Sequence, residues 1–183
     1  MDKRFLDARK YLEDCWRLAH RICCADSWRP EVVLGLWRGG APAALAVHEY
    51  LVAAGFPCRS AVIKCSSYTA IGEHQSTVRF EGVEGFLATV KPGARTLIVD
   101  DVFDSGWTCQ AAIRLLRSHG AEPRTATVYW KPGANQTAIR PDYFAAKTDE
   151  WLVFPHELAG LSAEELSRKD SSLAALLEAD RRL

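Results

Sequence analysis

The stretch from Asp100 to Thr108 combines three carboxylates with a short segment of small and hydroxyl-bearing residues. Asp100 and Asp101 are adjacent hard oxygen ligands, of the kind that bind Mg²⁺ or sugar hydroxyls. Ser105 and Thr108 add hydroxyls where a helix is predicted to begin, and the N–H groups at a helix N-terminus favour phosphate. An anion cradle beside metal-binding acids predicts, as ligand, a phosphorylated sugar that carries a diphosphate.

Two other phosphate-binding motifs are excluded by the residues present. Gly35 to Gly40 has the glycine spacing of a Walker A loop, but Ala41 and Pro42 stand where that loop requires Lys and Ser or Thr. No G-x-G-x-x-G occurs in the chain, so a dinucleotide-binding fold has no support.

Three further positions have a functional and a structural interpretation. Arg38, with Gly39 and Gly40 after it, is either an anion-binding turn or a surface turn with an exposed charge. Lys131 ends an apolar stretch, where an unpaired ammonium is unfavourable; the alternative is an edge lysine whose ammonium reaches solvent. Trp151 is a core aromatic on composition alone.

Short apolar strands alternate with helices along the chain, which predicts an α/β domain with a mostly parallel sheet flanked by helices. Strands are predicted at 32–37, 58–64, 95–101, 124–130 and 151–154, and helices at 5–23, 41–55, 108–119 and from 162 towards 183. Ligands of such sheets bind beyond the carboxyl ends of the strands, which is where Arg38 and Asp100 are expected.

Two segments have no clear period. Residues 65–86 are interpreted as a long functional loop or as a weak two-stranded excursion, and residues 141–149 as a connection. In the first helix, apolar residues at spacings of three and four predict the side that faces the core; they are Phe5, Ala8, Leu12, Trp16, Ala19 and Cys23.

The composition limits the classes of partner. Lys and Arg total 23, as do Asp and Glu, so the net charge is zero and no long-range field favours nucleic acid. No apolar run has the length of a membrane span, and the charged N-terminal residues do not resemble a signal peptide. The six cysteines form no C-x-x-C pair. A zinc site is therefore not expected. We expect reduced thiols and a cytoplasmic protein.

With these motifs in place, the chain resembles the type I phosphoribosyltransferases over about residues 30–158. Asp100–Thr108 is similar to the family's motif for 5-phosphoribosyl-1-pyrophosphate (PRPP), and Leu36–Gly40 to its pyrophosphate loop. Ser66–Tyr68 resembles the start of its flexible catalytic loop. Tyr129–Pro132 and Trp151–Glu157 resemble the base-binding segments of the purine branch, closest to the xanthine-guanine and hypoxanthine-guanine enzymes.

The resemblance implies a fold and a division of the chain. A mostly parallel central sheet flanked by helices would form one phosphoribosyltransferase domain over residues 1–160. A flexible loop would occupy about 66–86 and a small hood about 131–158. Residues 161–183 would form a helical tail, which the resemblance does not explain.

The resemblance also implies roles for individual residues. Asp104 would be the general acid/base at the purine imidazole nitrogen, although Asp also suits the N-cap of the next helix. Lys131 would bind the oxygen at purine position 6, Trp151 would stack on the base, and Leu152 would offer backbone groups. The residues implied for PRPP and its pyrophosphate are Arg38, Gly39, Gly40, Ser67, Tyr68, Asp100, Asp101, Ser105, Gly106, Trp107 and Thr108.

The implied activity is transfer of the phosphoribosyl group from PRPP to guanine, xanthine or hypoxanthine. Mg²⁺ would be held by Asp100 and Asp101, with Glu157 reaching a second ion. By resemblance the peptide bond before Arg38 is cis, and the assembly is a homodimer or homotetramer. Two alternatives stay open: a PRPP-binding regulatory protein without catalysis, and a phosphoribosyltransferase for another base.

Overall fold

The computed structural model describes residues 3–68 and 77–180, with the backbone alone at residues 67, 68 and 77. In these ranges it contains the strands β1 (Lys3–Phe5), β2 (Val32–Trp37), β3 (Arg59–Tyr68), β4 (Thr77–Glu81), β5 (Arg95–Phe103), β6 (Glu122–Trp130), β7 (Tyr143–Lys147) and β8 (Trp151–Val153). The helices are α1 (Ala8–Ala25), α2 (Gly40–Ala53), α3 (Glu84–Leu87), α4 (Trp107–Ser118), α5 (Ala163–Lys169) and α6 (Ser171–Asp180).

The chain forms two compact units. One comprises residues 9–149, and the other combines residues 1–8 with residues 150–183. The second unit therefore extends on both sides of the predicted boundary at residue 160, because a strand near each end of the chain contributes to it.

A six-stranded sheet occupies the larger unit, in the order β4-β3-β2-β5-β6-β7. All its pairings are parallel except that of β3 with β4. The connection from β2 to β3 runs to one side, and that from β5 to β6 runs to the other. The order reverses between β2 and β5, so their carboxyl ends flank the crevice where open α/β sheets bind ligands.

Helices cover both faces of this sheet, as predicted. On one face, Leu34 and Ile98 pack with Ala112 and Leu116 of α4. On the other, α2 approaches β2 so closely that a Cβ at Gly35 would lie 2.8 Å from the Cβ of Ala44. Burial of these strands on both faces explains their almost wholly apolar sequences.

The core-facing side of α1 was predicted wrongly. Its buried residues are Tyr11, Asp14, Cys15, Leu18, Ala19 and Ile22, whereas the predicted Leu12 and Trp16 are exposed. The buried apolar residues also recur at spacings of three and four, so the helix carries two apolar stripes and periodicity alone does not choose between them. Asp14 lies within the buried stripe, where its carboxylate accepts a hydrogen bond from the Tyr129 hydroxyl at 2.8 Å.

Three other differences concern the strands. Residues 3–5 form β1, which pairs with β8 in parallel, so Phe5 lies in a strand and not in the first helix as predicted. Residues 143–147, expected as a connection, form the edge strand β7. Part of the loop predicted over 66–86 is strand, because β3 continues to Tyr68 and pairs with β4 as in the two-stranded alternative. Residues 69–76 lie outside the described ranges.

The smaller unit is built on the β1–β8 pair and the two helices of the tail. Ser162 begins α5 with the predicted capping box: its hydroxyl accepts from Glu165 N, and the Glu165 carboxylate accepts from Ser162 N. Lys3 of β1 bonds Glu165 at 2.6 Å, which attaches α5 to the strand pair. The tail is two helices, since Asp170 interrupts the predicted single helix.

Candidate active site

The turn after β2 packs directly onto the end of β5. The peptide bond between Trp37 and Arg38 is cis, and Arg38 is exposed. A Cβ at Gly39 would lie 2.0 Å from Asp101 Oδ2, and one at Gly40 would lie 2.5 Å from the carbonyl oxygen of Val99. Both positions require glycine for steric reasons, so the glycines set the contact between the two loops.

The two adjacent acids at the end of β5 have different surroundings. Asp101 is buried, and its Oδ1 accepts a hydrogen bond from Val102 N at 2.7 Å. Asp100 is half-buried, and its Oδ1 accepts from Asp101 N at 3.1 Å. Burial, with the charge of Asp101 as the next cause, raises the pKa of Asp100 well above 3.8. A cation at this carboxylate would offset both unfavourable contributions.

The segment after these acids leads into the N-terminus of α4, the position for which an anion cradle is predicted. Gly106 has a φ of +85° and is the N-cap of α4, so the N–H groups of the first turn of α4 have no carbonyl partner within the helix. A Cβ at Gly106 would lie 2.5 Å from Thr137 Oγ1 and 2.9 Å from the Phe103 ring. Position 106 therefore favours glycine both because its φ is positive and because a side chain would collide with Thr137 and Phe103.

A polar segment that sequence reasoning missed supports this cradle. Gln136 N donates to Ser105 O at 2.9 Å, and Trp107 Nε1 donates to Gln136 Oε1 at 3.2 Å. Asn135 Oδ1 accepts from Thr137 N and Oγ1 at 2.9 Å. The run of Asn, Gln and Thr after Pro132-Gly133 was the available signal. The indole N–H of Trp107 therefore links the first turn of α4 to this segment.

Asp104 and Lys131 come together at the ends of neighbouring strands. Lys131 N donates to Phe103 O at 2.9 Å, which continues the pairing of β5 with β6. The Nζ of Lys131 lies 3.4 Å from Asp104 Oδ2. The lysine is largely buried and the aspartate is half-exposed. The pair presents a cation and a proton-accepting carboxylate beside the cradle.

The other predicted residues divide between the two units. Ser67 and Tyr68 end β3, and their side chains are outside the described part. Trp151, Leu152 and Glu157 belong to the smaller unit. There Trp151 is exposed and Leu152 is buried on β8, and Glu157 Oε2 accepts from Phe154 N at 2.9 Å. A metal ion at Glu157 would therefore be bound by its other oxygen.

The donor set at Asp100 and Asp101 fits Mg²⁺ in one respect. Within residues 3–68 and 77–180, no three His, Cys, Asp or Glu side chains form a metal-binding group. Mg²⁺ characteristically takes one or two carboxylates, with waters and substrate phosphates as the other ligands. Two carboxylates beside a predicted phosphate site satisfy that requirement. A metal held by protein ligands alone would need more ligands than these two acids supply.

The arrangement supports three chemical tasks at the reversal of strand order. The α4 N-terminus can hold a phosphate, the acids can hold a cation, and Asp104 can exchange a proton beside an ammonium group. Among the described helices, none is long and apolar enough to cross a membrane.

The family model for the phosphoribosyl transferase domain matches residues 2–161. No curated protein sequence matches significantly.

Solved structures share the fold. Purine phosphoribosyltransferase from Pyrococcus horikoshii Ot3 is 29% identical, with a TM-score of 0.68, over 88% of this chain and 98% of that one. A hypothetical protein from Neisseria gonorrhoeae with bound ppGpp is 18% identical, with a TM-score of 0.73, over 96% and 97% of the two chains. A Staphylococcus aureus hypoxanthine phosphoribosyltransferase is 20% identical, with a TM-score of 0.65, over 78% and 75%.

Proposed function

The chain belongs to the phosphoribosyl transferase domain family, and on that premise we propose that it transfers the 5-phosphoribosyl group from PRPP to a 6-oxopurine. The products are a nucleoside 5′-monophosphate and pyrophosphate. The observation that carries the proposal is the Lys131–Asp104 pair, 3.4 Å apart, beside the cradle at the N-terminus of α4. The likeness to the Pyrococcus purine enzyme supports a purine as acceptor.

The cradle and the turn after β2 hold PRPP at its two ends. Residues 105–108 take the 5′-phosphate through N–H groups and the hydroxyls of Ser105 and Thr108. Arg38 and the backbone of Gly39 and Gly40 take the pyrophosphate, with Ser67 and Tyr68 contributing from the end of β3. Preorganised donors of this kind stabilise the charge that develops on the leaving group.

Lys131 and Asp104 recognise and activate the base. Lys131 donates a hydrogen bond to the oxygen at purine position 6, which discriminates against adenine because an amino group there cannot accept one. Asp104 acts as general acid/base at an imidazole nitrogen of the purine, while a purine nitrogen displaces pyrophosphate from ribose C1. Trp151 stacks on the purine, and Leu152 offers backbone groups to its edge.

Asp100 and Asp101 hold Mg²⁺ in this proposal, and Glu157 a second ion. The metal supplies charge neutralisation on the pyrophosphate when it is bound. The surroundings of Asp100 support the assignment: burial and the charge of Asp101 raise its pKa, and a bound cation would favour the ionised form that they disfavour.

We also propose a homodimer or homotetramer in the cytoplasm. All six cysteines are free in the structure, which supports a reducing compartment. The mass in solution tests the assembly.

A panel of bases tests the reaction. With PRPP and Mg²⁺, we expect turnover of guanine, hypoxanthine or xanthine, little of adenine, uracil or orotate, and loss of turnover in Asp104→Ala. PRPP binding without turnover of any base would overturn the enzyme assignment in favour of a regulatory protein.

A further inference from the structure

The chain after β8 makes a tight turn that its own side chain closes. Glu157 N donates to Phe154 O at 3.0 Å, and Phe154 N donates to Glu157 Oε2 at 2.9 Å. Phe154 is buried, and its ring stacks with that of His156 at a centroid distance of 5.6 Å. The turn thus begins and ends at two residues that bond each other twice, directly after the strand that carries Trp151 and Leu152.

Lys169, from the helical tail, bonds both ends of this turn. Its Nζ donates to Phe154 O at 2.5 Å and to Glu157 O at 2.8 Å. The lysine is partly buried, and this burial lowers its pKa although the charge of Glu157 acts in the opposite direction. The two charge-assisted hydrogen bonds offset the partial loss of hydration of the ammonium, and they hold the two carbonyl groups in place.

The helix that carries Lys169 is itself well anchored. The capping box of Ser162 and Glu165 begins it, Leu166 is buried, and Lys3 of β1 bonds Glu165 at 2.6 Å. Lys169 is the last residue of α5. A short, anchored helix therefore delivers one ammonium to one turn, which is a stiffer attachment than a surface ion pair.

We propose that Lys169 is a positioning residue for the base-binding segment. By fixing the turn at Phe154 and Glu157, it fixes the C-terminal end of β8 and hence the placement of Trp151 and Leu152. The inference rests on the proposed function, which assigns these two residues to the purine. It gives the tail a role in binding the base. PRPP depends on the turn only through the second ion proposed at Glu157, which is one of its several contacts, so PRPP binding should change less than base binding.

The test compares Lys169→Met with Lys169→Arg and Arg168→Met in the full chain. Arg168→Met is the matched control, because it removes the neighbouring positive charge of the same helix without touching the turn. We expect Lys169→Met to raise KM for the base about tenfold and to leave KM for PRPP within about twofold, since small misplacements of binding groups are costly. Lys169→Arg, which can still donate to both carbonyls, should restore most of the affinity.

Hydrogen exchange gives a readout that needs no activity. In Lys169→Met the amides of Phe154 and Glu157 should exchange faster than in the wild type and in Arg168→Met. A folded Lys169→Met protein with unchanged exchange and unchanged KM for the base overturns the inference, and so does an equal rise in both KM values. If the wild type converts no base, the proposed function fails and takes the base-positioning role with it. The exchange rates then decide whether Lys169 holds the turn.

Discussion

Lys131 Nζ and Asp104 Oδ2 lie 3.4 Å apart across the ends of β6 and β5. The strands bring the two residues together by a backbone hydrogen bond from Lys131 N to Phe103 O. This bond continues the pairing of β5 with β6 by one residue, so the sheet sets the distance between the two side chains. A substrate base that meets the lysine therefore also meets the carboxylate.

Replacing the carboxylate should slow the chemical step. For Asp104→Asn we expect kcat to fall about 10²- to 10⁴-fold, the usual contribution of a general acid or base, with little change in KM for PRPP. Initial rates at saturating substrates measure this. Asp149→Asn, an exposed carboxylate in the same unit, should behave as wild type. A fall of less than fivefold in Asp104→Asn would exclude the role.

Replacing the lysine should relax the choice of base. In Lys131→Met, kcat/KM for the 6-oxopurine should fall about 10- to 100-fold, the loss of one hydrogen bond from a charged group, while that for adenine stays near its low value. The exposed Lys91 provides the control Lys91→Met. An equal fall for every base would instead assign Lys131 to PRPP or to stability.

A methyl group at Gly39 should displace the pyrophosphate turn. The new Cβ would lie 2.0 Å from Asp101 Oδ2, so the turn or the acid must move, and overpacking of this kind costs about 1–3 kcal/mol. We expect Gly39→Ala to weaken PRPP binding by at least about tenfold in calorimetry. Gly85→Ala, where a Cβ meets nothing within 4 Å, is the matched control.

Substitution of Gly106 should destabilise the protein for two reasons, its backbone conformation and its close packing, and a second glycine separates them. Gly106→Ala should destabilise the protein through its positive φ, about 1–2 kcal/mol, and further through contact with Thr137 and Phe103. Gly82→Ala has a φ of +65° and open space around it, so it carries the backbone cost alone. Urea unfolding should place Gly106→Ala below Gly82→Ala in stability, and equal midpoints would contradict the packing at the cradle.

The buried thiols predict a loss of stability in alkaline solution. Burial raises the pKa of Cys65 from 9.0 to about 11 and that of Cys15 to about 12. Between pH 9 and these values the unfolded thiols lose protons that the folded ones keep, so the free energy of unfolding falls as the pH rises through this range. Urea midpoints from pH 8 to 10.5 measure the fall. Cys65→Ala with Cys15→Ala should make it shallower without abolishing it, because burial also raises the pKa of Cys109.

The apolar strands and the acid-rich loop could be predicted because their signals are local. Val32–Leu36 and Thr96–Val99 are buried on both faces, so composition alone identifies the two strands that contain them. The capping box is equally local, because both of its hydrogen bonds join Ser162 to Glu165, three residues along the chain.

What could not be predicted depends on distant partners. Strand β1 has three residues and exists because it pairs with β8. Asp14 faces the core because Tyr129 reaches it. Gln136 belongs to the site because it supports Ser105 and Trp107. Each of these contacts joins residues that are distant in the sequence, so no periodicity or spacing within one segment indicates it.

The pairing of β1 with β8 has a consequence for synthesis on the ribosome. Lys3 and Trp151, its register partners, are about 150 residues apart in the sequence, a separation that slows contact formation. Strand β1 must therefore stay without its partner while the central sheet is translated and folds. The segment assigned to the purine can adopt its final form only after β8 has left the exit tunnel, so the protein would become able to bind the base after the central sheet has folded.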